Sequence, residues 1–135
     1  MTAILVDSNV LLDVLTEDPT WFDWSAQQLA MNTDQGYALV ITPLIFAEVS
    51  VGFNQPDELE SALPETFFRR EPLPYKAAFL AGKAFLRYRQ QGGNRRSPLP
   101  DFYIGAHAAV QNWPLLTRDV SRYQTYFPAI SLITP

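Results

Sequence analysis

Four short apolar runs, separated by helical patterns, constrain this chain more than any other feature. AILVD at 3–7, YALVIT at 37–42, PLLT at 114–117 and AISLI at 129–133 read as buried strands. Strands that alternate with helices build a parallel sheet sandwiched between helices, because a parallel pair needs a long crossover. The 135 residues are the size of one domain, so a single unit over 1–135 is expected. Its expected class is α/β, a three-layer α/β/α fold with a central, mostly parallel sheet.

The helices are read from spacing and punctuation. Ser8 and Asn9 are both good N-caps, and Val10, Leu11, Val14 and Leu15 continue as a helix that Pro19 is expected to end. Residues 20–33, with Trp21, Phe22, Trp24, Leu29 and Met31, predict a second helix. Pro43 suits the first turn of a helix running through LIFAEVSVGF. DELESAL at 57–63 predicts a short helix, and FFRREPLP a short strand or extended connector. Residues 75–91 carry the longest helical pattern, stopped by Gly92 and Gly93. NRRSPLP at 94–100 is a loop by composition, 101–112 a helix, and Asp119 to Tyr126 a turn or short helix.

Composition excludes several classes. With 47% hydrophobic and 13% aromatic residues the chain can bury a core. It has no cysteine, so it holds neither a disulfide framework nor a thiolate metal site. That fits a reducing cytoplasm, the expected location. No apolar stretch approaches the length of a membrane span, and no basic segment precedes the first apolar run, so no membrane association and no signal peptide are expected. A net charge of −4 and a pI near 4.8 argue against a nucleic-acid partner. The distribution argues otherwise. Arg69, Arg70, Lys76, Lys83, Arg87, Arg89, Arg95 and Arg96 supply eight of the ten Lys and Arg, and the first 68 residues contain none. Such a run is either a solvated face or a patch for phosphates.

Four acids stand in unusual company. Open parallel sheets place their sites beyond the carboxyl ends of the strands, where Asp7 and Asp119 fall. Taken singly, each could be an N-cap or loop aspartate. On a helix through 43–53, Glu48 falls among Leu44, Ile45, Val51 and Gly52. A carboxylate in an apolar sector needs a partner or a cation; otherwise it sits at the rim. Asp101 opens a helix whose same face carries Gly105 and Ala108, small enough to leave room before the carboxylate. The alternative is an ordinary first-turn aspartate. Together the four suggest a cluster, and clustered carboxylates need a counter-charge. Mg²⁺ or Mn²⁺ supplies it, being hard and oxygen-seeking. Acids around a divalent cation, with basic residues nearby, fit phosphodiester hydrolysis. Asp13 lies outside this cluster, and its replacement by Asn is expected to leave the site intact.

Other chemistries fare worse. His107 is the only histidine, and the helical wheel sets it near Tyr103, Ile104 and Gln111, away from Asp101. It reads as a packed helix residue, which weakens a Ser-His-Asp triad or a two-histidine zinc site. There is no GxGxxG and no P-loop.

In order and spacing, LVDSNVLLDVL, PLIFAEV, LPDFYIGAHA and LLTRDVSRYQTYFP resemble the blocks of PIN-domain ribonucleases, most closely the VapC-type toxins of bacterial toxin–antitoxin pairs. The likeness spans nearly the whole chain. The family's acids fall on Asp7, Glu48, Asp101 and Asp119, its small polar residue on Asn9, and its hydroxyl before the last acid on Thr117. The resemblance implies a PIN fold, Mg²⁺ or Mn²⁺ dependence and endonucleolytic cleavage of RNA. It further implies a homodimer and an antitoxin protein bound over the site. An antitoxin is expected to use apolar surface. Trp21, Phe22, Trp24, Phe46, Phe53, Phe67 and Phe68 are candidates for a groove between the second and third helices.

Competing readings are weaker. A HAD-like phosphatase needs a second Asp where Asn9 stands. A receiver domain needs a late Lys, and none follows Lys83. A catalytically weak PIN-like module binding RNA or protein is the remaining alternative, and the four intact acids oppose it.

Overall fold

The computed structural model describes residues 3–96 and 99–135. Five strands form one sheet: β1 (Ala3–Val6), β2 (Ala38–Ile41), β3 (Phe68–Arg70), β4 (Leu115–Leu116) and β5 (Leu132–Ile133). Their order is β3-β2-β1-β4-β5, and every neighbouring pair is parallel. The expected mostly parallel sheet is therefore wholly parallel. All four residues of β1 and both of β4 are buried. Successive strand side chains point to opposite faces, so helices must cover both sides of these central strands.

Among the described residues there are seven helices: α1 (Ser8–Leu15), α2 (Phe22–Asp34), α3 (Pro43–Ser50), α4 (Pro56–Ala62), α5 (Tyr75–Gln90), α6 (Pro100–Gln111) and α7 (Ser121–Tyr126). α1 packs on α2 and α3, while α6 packs on α5 and α7. The core joins Ile4, Leu5, Val6, Val10, Ile41, Ile45, Phe102, Ile104, Leu115, Leu116 and Tyr123. The order of strands reverses between β1 and β4. In a doubly wound sheet that switch point opens a crevice at the carboxyl ends of the strands. Val6 stands opposite Leu116, and the Asp7 N–H donates to the Leu116 carbonyl at 2.9 Å. Residues 7 and 117 are thereby brought side by side.

Local chemistry adjusts several expected boundaries. Asp7 itself caps α1, its Oδ1 accepting from the Ser8 N–H at 2.8 Å, so Ser8 and Asn9 lie inside the helix. α1 ends at Leu15, well before Pro19, and Glu17 turns the chain with φ 51°. Thr42 caps α3 through its hydroxyl, with Pro43 in the first turn. α3 stops at Ser50, whose hydroxyl donates to the Ala47 carbonyl, and residues 51–53 turn away. FFRREPLP resolves into β3. Asn112, with φ 57°, stops α6. The expected loop at 94–100 is loop over 94–96, and its residues 97 and 98 lie outside the described residues.

Candidate active site

Asp7 is the centre of the crevice. Its side chain is nearly buried, at 4% exposure. Oδ2 accepts from the Tyr123 hydroxyl at 2.8 Å, the Thr117 hydroxyl at 2.9 Å and, more weakly, Asn9 Nδ2 at 3.4 Å. All these donors are neutral. Burial pushes the Asp7 carboxyl up; the bonds from Tyr123, Thr117 and Ser8 oppose the rise, and Asp119 adds to it. A buried carboxylate satisfied only by neutral dipoles keeps its affinity for a cation.

Asn9 and Thr117 hold the frame around it. Asn9 Nδ2 donates to Thr117 Oγ1 at 3.1 Å, and Asn9 Oδ1 accepts from the Arg118 N–H at 3.1 Å. Thr117 Oγ1 also accepts from the Asp119 N–H at 3.1 Å. One hydroxyl and one amide thus tie α1 to the turn after β4. Asp119 itself is exposed, at the rim of the crevice.

Glu48 and Asp101 complete the set. Glu48 Oε1 accepts from the Ser8 hydroxyl at 3.1 Å. Burial raises its pKa, Ser8 opposes, and Asp7 and Asp101 add to the rise. Its helix buries Ile45 and Val49, whereas Val51, expected beside it in an apolar sector, is 87% exposed and outside the helix. Glu48 therefore sits at a rim and faces the other acids. Burial raises Asp101 as well; Asp7 and Asp119 add to this, and Arg122 opposes it. Gly105 does not leave room before Asp101, because a Cβ there would strike the Phe127 ring. Its smallness serves packing between α6 and the segment after α7.

Sequence reasoning missed three residues. Ser8, expected as a cap, instead donates its hydroxyl to Glu48. Tyr123 is fully buried, and its hydroxyl reaches Asp7; burial and the charges of Asp7 and Asp101 push its pKa well up. Its spacing one turn after Asp119 was the available signal, but a tyrosine among Tyr126 and Phe127 reads as core. Arg122 stands 3.7 Å from Asp101. His107 is packed as expected. It is buried against Trp113 at 5.2 Å between ring centroids, and neither ring nitrogen has a partner among the described residues.

The basic run does not form one patch. Arg70 clasps Glu60 with two hydrogen bonds, Arg69 pairs with Glu71 at 3.3 Å, and Arg87 donates to the Tyr126 carbonyl. Arg95 and Arg96 remain exposed. Two apolar grooves lie away from the acids. One, about 590 Å³, is lined by Leu11, Leu15, Leu29 and Phe67 among others, between α1, α2 and the segment after α4. The other, about 350 Å³, runs beside Phe46 and Arg70. Of the seven aromatics expected at a groove, Phe68 is core, Phe67 is exposed and the rest are half-buried.

The donor set suits a hard divalent cation. It consists of carboxylate oxygens, and in Asp7, Glu48 and Asp101 burial raises the pKa first and neighbouring acids raise it further. Among the described residues no three acidic side chains are drawn close enough to hold an ion as they stand. The fit is one of charge and donor chemistry.

A family model for the PIN domain matches residues 4–127, a stretch that takes in all four acids. The VapBC2 structure from Rickettsia felis, bound to a DNA fragment from its promoter, is similar to this chain with a TM-score of 0.75 and 17% identity, over 98% of both chains. VapBC-1 from nontypeable Haemophilus influenzae gives 0.74 and 18%, again over 98% of both. FitAcB from Neisseria gonorrhoeae gives 0.67 and 19%, over 96% of both. No curated protein sequence matches the chain. The family match spans nearly all of the chain, from β1 through α7: this protein belongs to the PIN domain family.

Proposed function

We propose that the protein is a Mg²⁺- or Mn²⁺-dependent endoribonuclease, the toxin of a type II toxin–antitoxin pair acting in the cytoplasm. The observation that carries this reading is Asp7: a buried carboxylate with neutral donors only, facing Glu48, Asp101 and Asp119 across the switch point. Asp7, Glu48, Asp101 and Asp119 would hold the cation. When bound, the cation supplies Lewis acidity and a water acidified enough to attack phosphorus. The protein's own part is positioning. Thr117 and Tyr123 fix the plane of the Asp7 carboxylate, Ser8 fixes Glu48, and Asn9 ties the two sides of the crevice together.

A cognate antitoxin as partner is supported by the likeness to VapBC complexes and by the groove between α1, α2 and the segment after α4. This groove lies between α1 and α2, whereas the expected one lies between α2 and α3. The homodimer is supported by Tyr75, Phe79 and Leu86, which α5 leaves exposed along one strip.

The test is cleavage of a mixed RNA by purified protein with Mg²⁺, with Mn²⁺ and with chelator. Metal-dependent cutting that is lost in Asp7→Asn and in Asp101→Asn is expected. RNA binding without cleavage under every metal condition would favour a PIN-like binding module instead.

A further inference from the structure

Among the described residues, Arg122 is the basic side chain that faces the acidic crevice with donors unspent. Its neighbour in sequence, Arg118, turns the other way and spends its guanidinium on Asp13 at 2.6 and 2.8 Å. Arg122 Nη1 stands 3.7 Å from Asp101 Oδ2, within ion-pair reach but too long for a hydrogen bond. The guanidinium lies 5.5 Å from the ring centroids of both Tyr88 and Phe102. Two aromatic rings thus hold the planar group while about a third of the side chain stays open to solvent.

A structural arginine looks different. Arg118 and Arg70 each close a bidentate clasp on a carboxylate. Arg122 is pre-positioned by rings and only loosely paired, the arrangement suited to an anion that arrives from outside. At an acidic crevice that acts on RNA, that anion is a phosphate, whose geometry matches the guanidinium fork. We propose that Arg122 is a substrate-binding catalytic residue: its guanidinium, held between Tyr88 and Phe102, takes a non-bridging oxygen of the RNA phosphate at the site. There it offsets the charge that grows on phosphate oxygens as the bond to phosphorus breaks. The inference rests on the nuclease reading above.

The experiment compares the parent with Arg122→Ala, Arg122→Gln and Arg122→Lys. Four quantities are read: kcat and KM for RNA at saturating Mg²⁺, Mn²⁺ affinity by calorimetry without RNA, and the thermal midpoint without metal. Arg122→Ala and Arg122→Gln should lower kcat/KM by a factor on the order of a hundred, within the reach of one well-placed donor. They should bind Mn²⁺ more tightly, because a cation that competes for Asp101 is gone. The thermal midpoint should hold, and Arg122→Lys should recover part of the rate. Opposite signs for metal affinity and turnover are the signature, and a merely structural residue would lower both along with the midpoint. Should Arg122→Ala fail to fold, Arg122→Gln, with nearly the same length, decides. Parent-like cleavage by a folded Arg122→Gln, or weaker Mn²⁺ binding in it, overturns the inference alone. A parent that cleaves no RNA with either metal overturns the nuclease reading and this inference together.

Discussion

Asp7 and Asp13 stand six residues apart at the two ends of one short helix, and both are buried, at 4% and 2% exposure. Asp7 accepts from Ser8, Thr117, Tyr123 and Asn9, all neutral. Asp13 accepts two hydrogen bonds from the Arg118 guanidinium and one from the Ser25 hydroxyl at 2.7 Å. Trp21 lies over that guanidinium at 5.1 Å. The two carboxylates are similarly well bonded, yet only one has its charge matched. Burial therefore does not mark a functional acid; the charge of its donors does. Asp13 is spent on Arg118. It is not a silent position, because Arg118 also donates its backbone N–H to Asn9. The ion pair pins the turn that carries Thr117 and Asp119.

The contrast is sharpest in stability. Asp13→Ala should lower unfolding free energy by about 3 kcal/mol, since removing one partner strands a partly buried guanidinium. Asp13→Asn, still an acceptor for Ser25, should cost less. Urea unfolding with the midpoint followed by circular dichroism measures both. A loss of only a few tenths of a kcal/mol for Asp13→Ala would erase the distinction.

Asp7→Asn should do the reverse. Cleavage should fall by a factor on the order of a hundred or more, worth about 2.7 kcal/mol of barrier at 1.36 per decade. The metal-free protein should keep its thermal midpoint or gain, because repulsion with Asp119 is relieved. A strongly destabilised Asp7→Asn would mean that Asp7, like Asp13, is chiefly structural.

Tyr123→Phe probes what holds Asp7 in place. The variant keeps the ring that fills the core and loses one bond to the carboxylate, a cost of about 1.5–3 kcal/mol when the acceptor is charged. Cleavage should drop roughly tenfold, a barrier of about 1.4 kcal/mol. With a donor to its charged form removed, Asp7 should titrate higher, shifting the acid limb of the pH–rate profile toward neutral pH. An unmoved acid limb would leave Tyr123 as core packing only.

The pH dependence of stability gives the smallest effect. Asp7, Glu48 and Asp101 all have folded pKa values raised above their ordinary values of 3.8, 4.5 and 3.8, in each case first by burial. On raising the pH the unfolded chain loses these protons first, so within that window the folded state holds more protons. Stability of the metal-free protein therefore falls as pH climbs from about the ordinary values through the raised ones. Asp18, lowered by the backbone N–H groups of Trp21 and Thr20, works in the opposite direction. Subtracting the Asp7→Asn curve from the parent curve cancels Asp18 and leaves Asp7 together with the part of the Glu48 and Asp101 shifts that its charge causes. The difference should move against the parent as pH rises above 3.8, then level off. A flat difference would mean that burial does not raise Asp7.

Much of the architecture follows from local pattern. The four apolar runs with helices between them dictate a parallel sheet, because run length and helical spacing are properties of neighbouring residues. Pro43 opens its helix for a reason visible in the sequence, because a missing N–H costs nothing in a first turn; Pro100, expected as the last loop residue, opens α6 for the same reason. Asp7, Glu48, Asp101 and Asp119 could be singled out because a carboxylate at a strand end or on an apolar face is locally anomalous. Tertiary structure decided the rest. It set β1 beside β4, so that Thr117 meets Asp7 across 110 residues, and brought Tyr123 to the same oxygen from 116 residues away. Packing gave Asp13 its arginine and left Asp7 with neutral donors, although both acids follow apolar residues in ILVDSNVLLDVL. It filled the space at Gly105 with Phe127 and moved Glu48 from an apolar sector to a rim. Local periodicity reports which face of an element is buried; which charge or hydroxyl meets it there depends on the crossing of distant elements, and that is fixed only when the sheet closes.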